Sequence, residues 1–288
     1  MKLTRRRFLQ VLGGTGLAGA GIYGYASQIA PHRLVLEHVR IGVQGLAAER
    51  EGCRIAVLSD LHAGPRVSMR HIERALQMAA DAEPEFLVIL GDIVDSTTSH
   101  LEELCRVLAP ITARIPTYGV TGNHDFSNNI ENPTLFARRV CGALRDAGVR
   151  MLRNTSHQPR EGKGELCFVG VDDFRMLPLD ERAFTRVPRD AAVVLLVHNP
   201  DIYEHVEKHR WDLMLAGHTH GGQVRIPGIG PLILPISHRE RAAGLIYPDT
   251  ARPDRVLYVN RGVGHLLKVR FFCPPEVTCV TLERRGGG

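Results

Sequence analysis

The 288-residue chain has a single Trp, only 6% aromatic residues, and six Cys of which none stands in a CxxC or zinc-ribbon spacing. A structural zinc ribbon is therefore excluded. The cysteines Cys53, Cys105, Cys141, Cys167, Cys273 and Cys279 read as mostly buried thiols, with Cys273 and Cys279 the one close pair that an oxidising compartment could join. No run of basic residues is interleaved with aromatics, so nothing suggests a nucleic-acid groove and no nucleic-acid partner is expected. Internal repeats and long low-complexity tracts are also missing. The net charge of +5, carried mostly by Arg, leans weakly toward anionic substrates or surfaces, although a scattered basic surface explains it equally.

Charge is missing altogether from Phe8 through Pro31, a stretch rich in Gly and Ala that follows "TRRRFLQ" at Thr4 to Gln10. An Arg pair, then Phe8-Leu9, then a mildly apolar Gly-rich run resembles a twin-arginine export signal. Residues 1–31 are thus read as a signal or an N-terminal membrane anchor, and 32–285 as one catalytic domain. "GYASQIAP" offers only Gly24 with Ala26, or Ala30 with Gln28 in the other slot, as a cleavage pattern. The uncharged stretch is also about long enough to span a bilayer. Both removal by the export machinery and retention as an anchor stay open.

Beyond a linker-like region, apolar runs alternate with helical periodicity. "RIAVLSD" at Arg54 to Asp60 reads as a buried strand, Ser68 to Ala82 as a helix capped by Ser68, and Phe86 to Leu90 as a second strand. A helix around Leu101 to Leu108, a strand at Thr117 to Val120, and a helix from Pro133 to Ala147 closed by Gly148 repeat the plan. Strand-like runs follow at Met151, Leu166 to Val171, Val193 to Val197, Leu213 to Ala216, Val256 to Val259 and Val277 to Leu282. A first half that alternates and a second half made mostly of strands predict a mixed α/β, or α+β, sheet system with helices outside.

The strand ends carry polar side chains of one chemical kind. They are Asp60 and His62 in "SDLH", Asp92 in "GDIVD", Asn123 and His124 in "GNHD", His198 in "LLVHNPD", and His218 and His220 in "GHTH". Each follows an apolar run, where a rigid strand fixes the root of a side chain and the loop turns it inward. Any one alone is an ordinary turn former or solvated histidine, but the whole set is not. Carboxylate, amide and imidazole donors without thiolate suit Mn, Fe, Zn or Co and argue against a calcium loop. Seven candidate ligands, Asp60, His62, Asp92, Asn123, His198, His218 and His220, exceed one ion with an open position. One bridging Asp and two ions resolve the count. Gly221 and Gly222 are read as a close approach of backbone beside those ions.

DxH, GDxxD, GNHD, an isolated VH and GHTH, in this order, resemble the calcineurin-like metallophosphoesterases over roughly Arg54 to Arg284. "GHTHGGQVRIPGIGP", "YVNRGVG" and "FFCPPEVTCVTL" are similar to an exported or membrane-associated bacterial branch, the YkuE- and YaeI-like phosphodiesterases. The resemblance implies a four-layer αββα sandwich with the site at the C-terminal ends of the strands. It implies that Asp60, His62, Asp92 and His220 hold one divalent ion and Asp92, Asn123, His198 and His218 the other, with a bridging hydroxide as nucleophile toward phosphorus. His124 would then serve the leaving oxygen, oriented by Asp95. Asp125, Asn199 and Asp201 read as loop and cap residues, while Arg225, Arg261 and His265 could meet a phosphate.

Three functions compete. The first is a monomeric, exported phosphoesterase acting on phosphodiesters, or on monoesters, of a small-molecule or lipid-linked substrate. The second is a membrane-anchored hydrolase of the UDP-2,3-diacylglucosamine pyrophosphate type. The third, of another class, is a non-catalytic metal-binding protein of the cell envelope.

Overall fold

The computed structural model describes residues 19–126, 132–159, 165–249, 252 and 254–285. The twin-arginine pattern and the first part of the uncharged stretch, through residue 18, lie outside them. Two six-stranded sheets lie face to face. The first comprises β1 (Val35–Val43), β2 (Arg54–Leu58), β3 (Phe86–Leu90), β4 (Thr117–Val120), β5 (Val149–Met151) and β14 (Glu276–Arg284), in the order β1-β14-β2-β3-β4-β5. The second comprises β6 (Thr155–His157), β7 (Leu166–Gly170), β8 (Ala192–Leu196), β9 (Leu213–Ala216), β12 (Gly244–Ile246) and β13 (Val256–Val259), in the order β12-β13-β9-β8-β7-β6. A short hairpin, β10 (Arg225–Ile226) with β11 (Gly230–Pro231), projects beyond it.

The period-2 geometry of a strand explains the layers. In β3, Leu87 and Ile89 point outward to the helices, while Val88 and Leu90 point inward to the second sheet. Outside the first sheet pack α2 (Met69–Asp81), α3 (Leu101–Thr112) and α4 (Pro133–Asp146). Ile72, Ala75, Leu76 and Ala79 form the buried stripe of α2 at helical spacing. The start of α4 is capped by Asn132, whose side chain accepts from Leu135 N–H, with Pro133 in the first turn. Its end turns at Gly148 (φ +87°), where Thr112 from α3 donates to Ala147 O at 2.6 Å. The outer face of the second sheet is covered instead by short turns and α5 (Tyr203–Val206), with Trp211 buried over Met214 and Leu257.

Between the sheets Phe168 stacks on Tyr118 at 4.6 Å and meets Phe86 edge-on at 5.3 Å. The parallel strands β2, β3 and β4 of one sheet and β8 and β9 of the other run to a common edge, tied there by His198 Nδ1, which donates to Leu90 O at 2.7 Å across the sandwich. That edge carries the candidate site.

One segment departs from the sequence reading. The region before Arg54, taken as linker, contains β1, paired in parallel with β14 from Val35↔Glu276 to Val43↔Arg284. As an edge strand it buries only Ile41 and Val43 and leaves Glu37, His38 and Arg40 toward solvent, so its apolar signal is weak. At the N-terminus, α1 (described over 19–24) runs into a π-turn at Tyr25–Ile29 and a 3-10 turn at Ala30–His32. Ala26 and Ala30 of these turns are buried, and Ala26 O accepts from Arg270 N–H at 2.8 Å. No helix among the described residues is long and apolar enough to cross a membrane. All six thiols are free, and five of them are buried.

Removing the ring at the centre of the inter-sheet layer tests this packing. Phe168→Ala should destabilise the protein by about 3–5 kcal/mol in urea unfolding, the cost of an aromatic-sized cavity. A loss within the scatter of surface substitutions would show that the two sheets do not depend on this contact.

Candidate metal centre

The site is built by bending the chain sharply at the ends of strands. Asp60, His62, Asp92, His218 and His220 all adopt positive φ, between 46° and 68°. Five of the seven sequence-nominated ligands thus occupy a backbone region that costs non-glycine residues roughly 1–3 kcal/mol each. Neighbouring loops hold the bends: Asp60 N–H donates to Gly91 O at 3.0 Å, His62 N–H to Asp92 O at 2.9 Å and Gly217 N–H to His198 O at 2.9 Å. A Cβ on Gly217 would fall 1.7 Å from Ser59 Oγ, and one on Gly122 would fall 2.3 Å from Asp92 N. Glycine at these two positions lets the ligand loops touch.

The turned side chains converge in two groups, Asp60 with His62 and His220, and Asp92 with His198 and His218. In the first, His220 Nε2 lies 3.4 Å from Asp60 Oδ1 and 3.2 Å from His62 Nε2, the two rings stacked with centroids 5.2 Å apart. In the second, His198 Nε2 lies 3.2 Å from Asp92 Oδ2 and 3.0 Å from His218 Nδ1. Asp92 Oδ2 is also 3.7 Å from His62 Nε2, so one carboxylate oxygen adjoins both groups. Asn123 contributes a buried Oδ1 without a hydrogen-bond partner.

The donor chemistry fits divalent cations. Burial holds His62 and His218 down to about 3 and keeps His220 well below the ordinary imidazole value. Neutral rings with converging lone pairs are the form a metal binds. His198 has its Nδ1 proton committed to Leu90 O, which leaves Nε2 facing the site. Burial opposes charge on His198 too, but Asp92 outweighs it and raises the ring to about 10. Asp60, raised to about 6 by burial, leaves Oδ1 without a hydrogen-bond donor. Unpartnered buried oxygens beside facing imidazole nitrogens are costly unless a cation completes them.

His124 sits at the rim, a quarter exposed, its ring edge-on to His62 at 4.9 Å. Its Nδ1 is 3.1 Å from Ser96 Oγ and 3.9 Å from Asp95 Oδ1. Ser96 is therefore the hydrogen-bonding neighbour, while Asp95 lies just beyond and is engaged by Arg66 at 3.3 Å. Ser96, itself at φ +50°, carried no signal in the sequence beyond following GDxxD.

Asp125 fixes the site without facing it. Oδ1 accepts from Ile93 N–H and Val94 N–H at 2.9 and 3.0 Å, and Oδ2 accepts from Gly122 N–H at 2.9 Å. It thereby clamps the loop after Asp92 to the loop carrying Asn123. Asn199 accepts from Asp201 N–H, and Asp201 from Ser237 N–H, so both order loops as the sequence suggested. Arg261 is held by Glu37 and Glu276 at 2.6 and 2.5 Å, which gives it a structural place. Arg225 donates to Gly221 O at 3.4 Å, and His265 is buried.

Sequence reasoning missed "VDDFR" at Val171 to Arg175. Asp172 accepts a fork from Arg153 and a bond from Thr121 Oγ1 at 2.8 Å, joining the ends of β4 and β7. Asp173 is buried with Oδ2 unpartnered, and Arg175 Nη1 reaches 3.1 Å from His218 Nε2. Two acids after an apolar run was the available signal. The expectation for Gly221 and Gly222 is corrected: both have positive φ, but an added Cβ would strike Cys273 Sγ and Pro231 Cβ, not the metal face.

A family model described as calcineurin-like phosphoesterase matches residues 53–222. The chain is 31% identical over 286 residues to "Phosphodiesterase YaeI" of Escherichia coli (strain K12), which covers 97% of this chain and 99% of that protein. It is 28% identical to "Uncharacterized metallophosphoesterase YkuE" of Bacillus subtilis (strain 168), covering 98% of each. It is 24% identical to "UDP-2,3-diacylglucosamine pyrophosphatase LpxG" of Chlamydia trachomatis, covering 88% of this chain and 90% of that protein.

The clamp can be tested apart from the ligands. Asp125→Asn keeps the size but turns an amide N–H₂ toward at least one backbone donor, and should lower stability by about 1–3 kcal/mol. Chemical denaturation with an unchanged midpoint would remove Asp125 from its clamping role.

Proposed function

The chain belongs to the calcineurin-like phosphoesterase family, in its YkuE- and YaeI-like branch, and on that premise we propose that it hydrolyses phosphodiesters with two divalent ions. The observation that carries this reading is Asp92 Oδ2, near His62 Nε2 at 3.7 Å and His198 Nε2 at 3.2 Å. A shared carboxylate between two ligand groups is what a two-ion centre requires. Asp60, His62, Asp92 and His220 would hold one ion, and Asp92, Asn123, His198 and His218 the other. Mn, Fe and Zn all suit these donors.

When bound, such ions withdraw charge from phosphate oxygens and make water a stronger acid. The chain's own residues supply the rest. Asp60 and Asp92 carry the negative charge that retains cations in a buried place, and the imidazoles complete the shell without adding charge. Ser96 fixes Nδ1 of His124, so Nε2 is the atom that would pass a proton to the departing alkoxide or aryloxide oxygen. Arg175, exposed beside His218, supplies a guanidinium at the rim for a phosphate oxygen. In an in-line displacement the leaving oxygen departs opposite the attacking one, and His124, at the rim of the site, would serve that leaving oxygen.

The N-terminal pattern supports export by the twin-arginine route, with the segment either removed or kept as an anchor. The relatives named UDP-2,3-diacylglucosamine pyrophosphatases keep a second reading alive, a pyrophosphate linkage in a lipid-bearing substrate. A metal-binding envelope protein without turnover is disfavoured by the presence of His124 beside a full ligand set.

Two measurements decide. Calorimetric titration of the full chain with Mn should give about two ions per chain, and Asp92→Asn should abolish the tight pair. Turnover is then compared on an aryl phosphodiester, an aryl monoester and UDP-2,3-diacylglucosamine. His124→Ala should lower kcat on the aryl diester by about a hundredfold to ten-thousandfold while metal uptake persists. A metal-loaded chain inert on all three substrates would sink the enzymatic reading.

A further inference from the structure

Exposed apolar side chains are unevenly distributed. Nine of the twelve large hydrophobic residues exposed among the described residues fall in only three segments, 22–29, 229–233 and 267–272. Gln223, which precedes the hairpin, holds the 267–272 loop: its Nε2 donates to Leu267 O and Val269 O at 2.8 and 2.9 Å, and its Oε1 accepts from Leu266 N–H. The β10–β11 hairpin is tied to the same loop by Arg225 N–H, which donates to Phe271 O at 2.9 Å. The third segment is tied in by Arg270 N–H, which donates to Ala26 O at 2.8 Å. Between the N-terminal turns and Phe271–Pro274 runs a groove of about 470 Å³, lined by Tyr25, Ala30 and Arg33.

Ile229, Ile233 and Leu267 are each more than seventy per cent exposed, and Phe272 is 64% exposed. Side chains of this kind gathered on one face mark an interaction surface, whereas scattered ones are ordinary. The charge pattern identifies the partner. Residues 19–36, 213–239 and 255–275 contain no Asp or Glu, although the chain has 31. Arg33, Lys268 and Arg239 are exposed there, and among the described residues none of them forms an ion pair with a carboxylate. Apolar tips, aromatic rings and unpaired cations on segments that carry no acid of their own are complementary to an anionic bilayer surface.

We infer that this face docks on the headgroup region of an anionic membrane through the hairpin tip, the 267–272 loop and the N-terminal turns. The metal centre lies directly beside it: Cys273 Sγ donates to His220 O at 3.3 Å, and Gly222 N–H donates to Thr219 O at 2.8 Å in the same loop. Docking therefore holds the His218–His220 loop next to the membrane, where the phosphoester of an amphiphile lies. The inference concerns binding and stands whether or not the reaction proposed above is correct.

The test is flotation of the full chain with vesicles of phosphatidylcholine alone or phosphatidylcholine with phosphatidylglycerol, read as bound fraction without any substrate. The wild type should prefer the anionic vesicles. Replacing the tips together, Ile229→Ser, Ile233→Ser, Leu267→Ser and Phe272→Ser, should weaken that binding roughly tenfold or more, since each tip stops burying apolar area. Leu135→Ser, an exposed apolar residue on α4, should change nothing. If the fourfold variant proves poorly folded by its thermal midpoint, Arg33→Glu with Lys268→Glu gives an independent reading, loss of the preference for anionic vesicles. Binding of the fourfold variant equal to that of the wild type would overturn the inference by assigning attachment to residues 1–18. So would a face that closes a dimer in sedimentation while vesicle binding is unaffected.

Discussion

Two carboxylates and four imidazoles share a buried volume in which Asp60 and His62 are completely shielded from water and Asp92, His198, His218 and His220 nearly so. Burying ionised groups costs several kcal/mol each unless opposite charge or hydrogen bonds compensate them. Much of the surrounding architecture serves that compensation. His218 N–H donates to Asp60 Oδ2 at 3.0 Å, His124 N–H to Asp92 Oδ1 at 2.7 Å, and Ser59 Oγ–H to Asp60 Oδ2 at 2.5 Å. The remaining oxygens, Asp60 Oδ1 and Asp92 Oδ2, face the imidazoles. They are the ones a cation would neutralise.

The same constraint explains why strain gathers here. A regular strand end would put Asp60 and His62 on one face but side by side, roughly 7 Å apart along the chain and in parallel, so it would not aim them at one point. Left-handed backbone at Asp60, His62, Asp92, His218 and His220 solves this by rotating each root toward the common edge. Such bends persist only where the surroundings overdetermine them. The inter-loop hydrogen bonds and the glycines at 91, 122 and 217 do so, since the loops approach too closely for a Cβ. Stability lost in the turns is offset by the dry core between the sheets, where Phe168, Tyr118 and their neighbours lock the relative position of the two halves.

Two different surfaces meet at this edge. The metal centre is polar and shielded, and the adjoining hairpin, loop and N-terminal turns are apolar, acid-free and exposed. Gln223 and Cys273 couple them through hydrogen bonds to the backbone around His220. A phosphoester has both characters when it sits in an amphiphile, a charged centre attached to an apolar body. An amphiphile held by that face would have its phosphoester beside the two ligand groups without any moving part.

Much of this was legible in one dimension. The apolar runs ending in Asp, Asn or His announced both the strands and the side chains that converge at their ends, because a buried strand must be apolar and a group turned inward must follow it directly. The helices of the first sheet were legible for the same reason, their stripes being sharp. β1 was not, since an edge strand with one wet face and charged residues has little pattern to read. Ser96 and Arg175 were not either: nothing in their own neighbourhoods distinguishes them from ordinary turn residues, and their relation to His124 and His218 depends on contacts across 28 and 43 positions of chain. Sequence determined which donor types exist and that they follow strands, because composition and periodicity are local properties. Only the tertiary structure decided which donors share an oxygen, which residue orients His124, and which exposed apolar segments form one face, because these are distances between parts of the chain that local sequence does not encode.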